Sequence, residues 1–159
     1  LGVRAPWGQN ERTIDGVRAD EHLQPGTGAA SLWAGTSGSL RLGTREHAYG
    51  SVLARWNGTN DHGYHYGNAA FVNLAYQRDV APRLAGVLEL NARDARFDQV
   101  DGVQEANTGG SVLYVAPRVQ WQMNETLVLR LGVQVPVAQR MIGDQRERAN
   151  LITGITLAY

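Results

Sequence analysis

His62 and His65 stand in a His-x-x-His pattern, with Asp61 before them and Tyr64 and Tyr66 interleaved. Two imidazoles beside a carboxylate are a donor set for a divalent metal, so His62 and His65 are the metal candidates by spacing. Solvation of a loop, or packing of the two tyrosine rings, accounts for the same residues more simply, and no metal is expected. Asp98, Asp101, Glu105 and Asn107 offer oxygens of the kind calcium takes, but their spacing fits no calcium loop and reads as a solvated acidic loop. Gln24-Pro-Gly-Thr-Gly28 is rich enough in glycine to cradle a phosphate. With no helix after it and no lysine, it reads instead as a tight bend into a strand. His22 and His47 are isolated in the sequence. Ser31, Ser37, Ser39, Ser51 and Ser111 have no His/Asp pattern around them that would make a nucleophile. Neither an enzyme nor a cofactor is expected.

The remaining chemistry belongs to arginine. All 15 basic residues are Arg, and 15 acidic residues bring the formal charge to zero. That balance removes the global electrostatic case for a nucleic-acid partner. The absence of cysteine excludes disulfides and thiolate-held metals. What matters is where the arginines fall. From Leu127 to Val137 the odd positions are all aliphatic, while Arg130 and Gln134 share the even ones. A strand alternates its faces with period two, so this segment has one aliphatic face and one face bearing a charge. An inward Arg is costly in a dry sandwich core but acceptable in a wet lumen whose outer side meets lipid.

The same alternation recurs along the chain. Segments near 1–6, 28–41, 47–57, 67–79, 84–94, 109–122, 127–137 and 149–159 read as about eight strands. Tight connections near 42–46, 80–83 and 123–126 alternate with long polar ones near 7–27, 58–66, 95–108 and 138–148. Short turns on one side and long loops on the other are the arrangement of a transmembrane barrel. Val72, Leu74, Tyr76, Leu84, Leu88, Leu90, Leu113, Val115, Val119 and Trp121 take the lipid face, with Tyr76 and Trp121 near the short turns as an aromatic girdle. Arg4, Arg55, Glu89, Arg93, Tyr114, Arg118, Arg130 and Gln134 take the lumen, as permeation candidates or as side chains that pair and plug it. In the last segment Leu151, Ile155, Leu157 and Tyr159 share the apolar parity and the chain ends on the aromatic residue. Such an ending resembles the terminal strand by which assembly machinery recognises outer-membrane barrels. No apolar run approaches the ~20 residues of a membrane helix.

Longer pieces carry a further resemblance. Leu1-Gly-Val-Arg-Ala-Pro-Trp-Gly8, His22-Leu-Gln-Pro-Gly-Thr-Gly28, Tyr64-His-Tyr-Gly-Asn68, the stretch from Thr108-Gly-Gly110 through Pro117, and Gly132-Val-Gln-Val-Pro-Val-Ala-Gln-Arg140 resemble a family of outer-membrane barrel proteins. Its members are described as transporters or as meta-pathway phenol-degradation proteins. Arg4 stands where that family commonly has Lys, and Tyr159 where it often has Phe. The family carries further strands before the segment similar to Leu1. The resemblance therefore implies that 1–159 is one domain of about eight antiparallel strands, the carboxy-terminal part of a barrel of about twelve. Leu1 already reads as strand, which agrees with a removed signal or missing upstream barrel sequence. Closure by eight strands alone is the alternative. The expected setting is the bacterial outer membrane, with the bilayer and the assembly machinery as partners. The expected function is a channel or transporter for small solutes, among them aromatic or hydrophobic compounds. Its rivals are a scaffolding barrel that holds a protein partner, and a soluble β-sandwich in which a second sheet covers the Leu127–Val137 aliphatic face.

Overall fold

The computed structural model describes residues 1–157. In chain order the strands are β1 (Gly2–Arg4), β2 (Thr13–Ile14), β3 (Val17–Arg18), β4 (Ser31–Arg41), β5 (Glu46–Asn57), β6 (Tyr64–His65), β7 (Ala69–Ala81), β8 (Leu84–Ala95), β9 (Gln99–Val100), β10 (Val103–Gln104), β11 (Gly110–Gln122), β12 (Leu127–Met141) and β13 (Asn150–Leu157). One short 3-10 turn, Glu21–Leu23, interrupts them. The protein is all-β. No helix among the described residues is long and apolar enough to cross a membrane.

The long strands form one eight-stranded antiparallel sheet in the order β1-β4-β5-β7-β8-β11-β12-β13. Each neighbour follows its predecessor along the chain, apart from the short loop strands. Every expected strand is present. β1 is shorter than 1–6, because Pro6 has no N–H to give a ladder. β12 is longer than 127–137, and the reason is local. The register between β11 and β12 shifts between Leu113 and Tyr114, where Tyr114 faces Pro136 and Leu113 faces Ala138. Val137 is the extra residue of a β-bulge there, and a bulge inverts the parity that follows. The alternation legible up to Val137 is broken, so the last four residues of the strand are hidden from a period-two reading. Among the described residues β1 and β13 pair with no strand on their outer sides, so the sheet is open there. Closure by these eight strands alone is not formed among the described residues.

The two faces differ in what covers them. Val72 lies opposite Ala92, Leu74 opposite Leu90, Val115 opposite Val135 and Val119 opposite Leu131, so the aliphatic side chains expected to share a face do so. Leu131 is 58% exposed and Leu74 52%. Among the described residues no second sheet covers this face, as a β-sandwich would need. Residues of the other face are more enclosed: Val112, Tyr114, Ala116, Ala85 and Ala69 are buried. The buried apolar residues are mostly alanines, and no large side chain among the described residues is completely buried.

The long loops are themselves folded. Asp15-Gly16 and Asp101-Gly102 both have positive φ, 52° with 79° and 50° with 80°. That is the two-residue turn that suits a hairpin, and it closes β2 on β3 and β9 on β10. β9 then pairs with β6, tying the 58–68 connection to the 96–109 connection in a three-stranded sheet. Gly26 packs against Gly8 so closely that an added Cβ would meet the Gly8 backbone at 2.6 Å, and the Gly26 N–H donates to the Gln9 carbonyl at 2.8 Å. The glycine-rich 24–28 segment is thus a close crossing of two chain segments.

Candidate functional site

The ladder register places the eight permeation candidates on one face. Arg4 lies opposite Ser31, and Trp33, one period further along β4, opposite Arg55. Arg55 lies opposite Ala69, and Phe71 opposite Arg93. Arg93 meets Val112, Asn91 meets Tyr114, Glu89 meets Ala116 and Arg118 meets Gly132. Arg130 and Gln134 flank Gly132 with the same parity. Residues directly opposed across a ladder point the same way, so Arg4, Arg55, Glu89, Arg93, Tyr114, Arg118, Arg130 and Gln134 form a single polar field.

Within that field the charges are partly matched. Arg118 Nη2 donates to Glu89 Oε2 at 2.5 Å, and Arg93 Nη2 to Glu147 Oε1 at 2.8 Å. Arg130 Nε donates to Gln120 Oε1 at 3.1 Å and its Nη1 to Thr156 Oγ1 at 2.6 Å. Arg4 Nη2 reaches Ser31 Oγ at 2.8 Å, while the Arg55 guanidinium sits 5.4 Å from the Trp33 ring centre, a cation–π distance. Gly132 makes room for this arrangement, since a Cβ there would strike the Arg118 stem and the Pro117 carbonyl. The Nε atoms of Arg55, Arg93 and Arg118 are buried and have no hydrogen-bond partner among the described residues. An acceptor such as a carboxylate or carbonyl oxygen would satisfy them. Further along the face lies a groove of about 600 Å³ bounded by Ser37, Ser39, Ser51, Asn73, Glu89 and Asn91.

At the long-loop end of the sheet a second polar cluster forms. Asn57, at the end of β5, is buried. Its side-chain oxygen accepts from Ser31 Oγ at 2.8 Å, and its Nδ2 donates to the Gly67 carbonyl at 2.9 Å. Asn60, buried in the next connection, accepts from the N–H groups of His62 and Tyr64 and donates to Glu21 Oε2 at 3.2 Å. Asp20 caps the 3-10 turn by accepting from the His22 N–H at 2.9 Å. Tyr64 donates its hydroxyl to Asp98 Oδ2 at 2.8 Å and lies 3.1 Å from His22 Nε2. Tyr66 donates to the Glu21 carbonyl at 3.1 Å, and its ring centre is 4.8 Å from that of Tyr64. Burial first, then the nearby Glu21 and Asp98 charges, pushes the Tyr66 phenol up to about 12. Tyr64 is pushed further upward, by burial first and then by the neighbouring Glu105 and Asp98 carboxylates. Both phenols therefore stay neutral donors.

His62 and His65 do not converge on one point. His62 Nε2 lies 2.5 Å from Glu11 Oε1, while His65 is held in β6 by pairing with Gln99 and a bridge to Thr59. The ligand atoms that do come together are those of His22, Asp98 and Glu105, all within 4.8 Å of one another. His22 appears isolated in the sequence, and Asp98 and Glu105 read there as solvated. The available signal was the Asp101-Gly102 turn, which folds Glu105 back onto Asp98 so that the Glu105 N–H donates to the Asp98 carbonyl at 2.9 Å. Nothing local ties His22 to either. His47 stacks on Tyr49 at 6.3 Å. Leu151, Ile155 and Leu157 are exposed on β13, and Tyr159 lies outside the described residues.

Comparison with protein-family models, with curated proteins and with solved structures finds no match for this chain.

Proposed function

We propose that the chain is part of a bacterial outer-membrane β-barrel of about twelve strands, and that small solutes pass through its arginine-lined lumen. One observation carries this reading: an eight-stranded antiparallel sheet leaves its aliphatic face uncovered while most arginines of its other face are half-buried. In water that arrangement is inverted, since a contiguous apolar surface is costly to hydrate. In a bilayer it is the expected one. The open edges at β1 and β13 call for further strands to complete the ring, because unpaired backbone groups cannot be left in lipid. The resemblance to the transporter and phenol-degradation family supports the same assignment.

The solute class follows from the lumen. Unpaired buried Nε donors on Arg55, Arg93 and Arg118 favour an anionic or carbonyl-bearing solute, and Trp33, Phe71 and Tyr114 on the same face offer aromatic contact. Small aromatic acids have both properties. Single-channel recording of the complete gene product, folded in detergent and inserted in a planar bilayer, tests the reading. Stable conductance steps with anion preference support it. A folded but silent barrel turns the argument to the alternative, a scaffold that holds a protein partner. The Arg118–Glu89 and Arg93–Glu147 pairs favour that alternative, because ion pairs across the face fill space a solute would need.

A further inference from the structure

We infer that His22, Asp98 and Glu105, with the Tyr64 hydroxyl beside them, bind one divalent transition-metal ion of the Zn2+ type and so clasp three loops at the long-loop end of the sheet. The ligands come from separate stretches of chain. His22 sits on the capped 3-10 turn, Asp98 follows β8, and Glu105 follows the β9–β10 hairpin. Tyr64 belongs to β6.

Each donor is already aimed. Asp98 is buried; its Oδ1 accepts from the Gly67 N–H at 2.6 Å, and its own N–H donates to Thr108 Oγ1 at 2.9 Å. This fixes the carboxylate so that Oδ2 lies 3.7 Å from His22 Nε2. Thr108 in turn donates to the Glu105 carbonyl at 2.9 Å. Glu105 Oε2 is buried and without a hydrogen-bond partner among the described residues. None of the arginines forms an ion pair with Asp98 or Glu105 among those residues. Two carboxylates held together with one oxygen unsatisfied are costly with no cation in contact, and Arg55 acts on Asp98 only from beyond ion-pair distance. Metal–ligand bonds of about 2.0–2.2 Å set neighbouring donor atoms about 3–4 Å apart, so the His22–Asp98 separation needs little adjustment. An imidazole nitrogen among oxygens suits zinc, nickel or iron better than calcium or magnesium, which take oxygen alone. His22, half exposed, leaves the site open to the surrounding solution. The Asp98 bond to Gly67 is the kind of outer support that orients a metal ligand. The site does not depend on the membrane reading, since every ligand is on a loop.

Calorimetric titration of the full chain with ZnCl2 tests this, with Co2+ as a spectroscopic substitute. The wild type is expected to bind one ion and to give visible Co2+ absorption. Glu105→Gln and His22→Ala should each weaken binding at least about tenfold, the smallest loss seen when even a ligand's supporting partner is removed. His62→Ala should leave it unchanged. His22→Ala alters a half-exposed side chain, so it tests the site even where Glu105→Gln disturbs the loop, and far-UV spectra check the fold of both. A wild-type chain that takes up neither ion overturns the inference. Zinc binding that neither His22→Ala nor Glu105→Gln weakens overturns it as well, as does calcium binding in preference to zinc.

Discussion

Asn57 shows how much a single side chain holds in this fold. It joins β4, through Ser31, to the chain reversal at Tyr66 and Gly67, and it is buried while doing so. Removing one partner from a buried network leaves the others unsatisfied, at about 1–3 kcal/mol per group. Asn57→Ala is therefore expected to cost about that much, and to loosen the loop cluster before the sheet. Amide exchange read segment by segment would show it, with faster exchange at 58–68 and unchanged rates in β11. Arg118 and Arg130 make a different kind of claim. Both are tied to neutral or acidic partners on the enclosed face, and both are only partly buried. Arg118→Gln with Arg130→Gln is expected to preserve folding while reducing anion preference, measured as the reversal potential across a salt gradient. An open channel with unchanged selectivity would remove both from the permeation path.

Strand β12 carries the strongest sequence signal, and its two faces assign it two surroundings. Leu131 sits opposite Val119 on β11 and Thr153 on β13, on the uncovered side. If that side meets the middle of a bilayer, Leu131→Arg should cost ~2–4 kcal/mol. Reversible folding into lipid vesicles under urea reads the difference directly, and a cost well under 1 kcal/mol would count against lipid contact at this position. The bulge at Val137 limits how far such arguments reach along the strand. Beyond it Ala138 and Arg140 take the outer parity and Gln139 the inner one, as their partners Leu113, Ser111 and Val112 show. Arg140 thus lies at the rim on the outer face, level with Asp94 and Ser111, where a charged side chain can reach the interface.

Taken whole, the sheet presents an uncovered aliphatic side. Leu74, Leu88, Leu131, Ile155 and Leu157 are each at least half exposed on one side of one sheet. The chain is expected to reach its β-rich fold in detergent or lipid and to aggregate in plain buffer. Far-UV spectra and light scattering, with and without detergent, separate the two outcomes. A monodisperse, folded chain in buffer would sink the membrane assignment, and the uncovered face would then need a protein partner. The loop cluster is independent of that result, because hydrogen bonds among Asn60, Glu21, Tyr64 and Asp98 hold it together at the end of the sheet.

The strands and their faces were legible in the residues alone because alternation is a local property. A side chain two positions away points the same way whatever the rest of the chain does. Leu127 to Val137 could thus be divided into an aliphatic and a charged face, and Arg4, Arg55, Arg93, Arg118 and Arg130 could be given one side before any pairing was known. The length of β12 was not legible, since a bulge cancels the periodicity that would reveal it. The hairpins at Asp15-Gly16 and Asp101-Gly102 had a local signal and belong with what the sequence offers. The meeting of His22 with Asp98 and Glu105 had none. Their approach depends on the β6–β9 pairing and on the first long loop folding across it, and contacts between distant segments leave no period in the sequence. For the same reason, spacing pointed to His62 and His65 as metal candidates, whereas the fold turns His62 toward Glu11 and gathers its ligand atoms elsewhere.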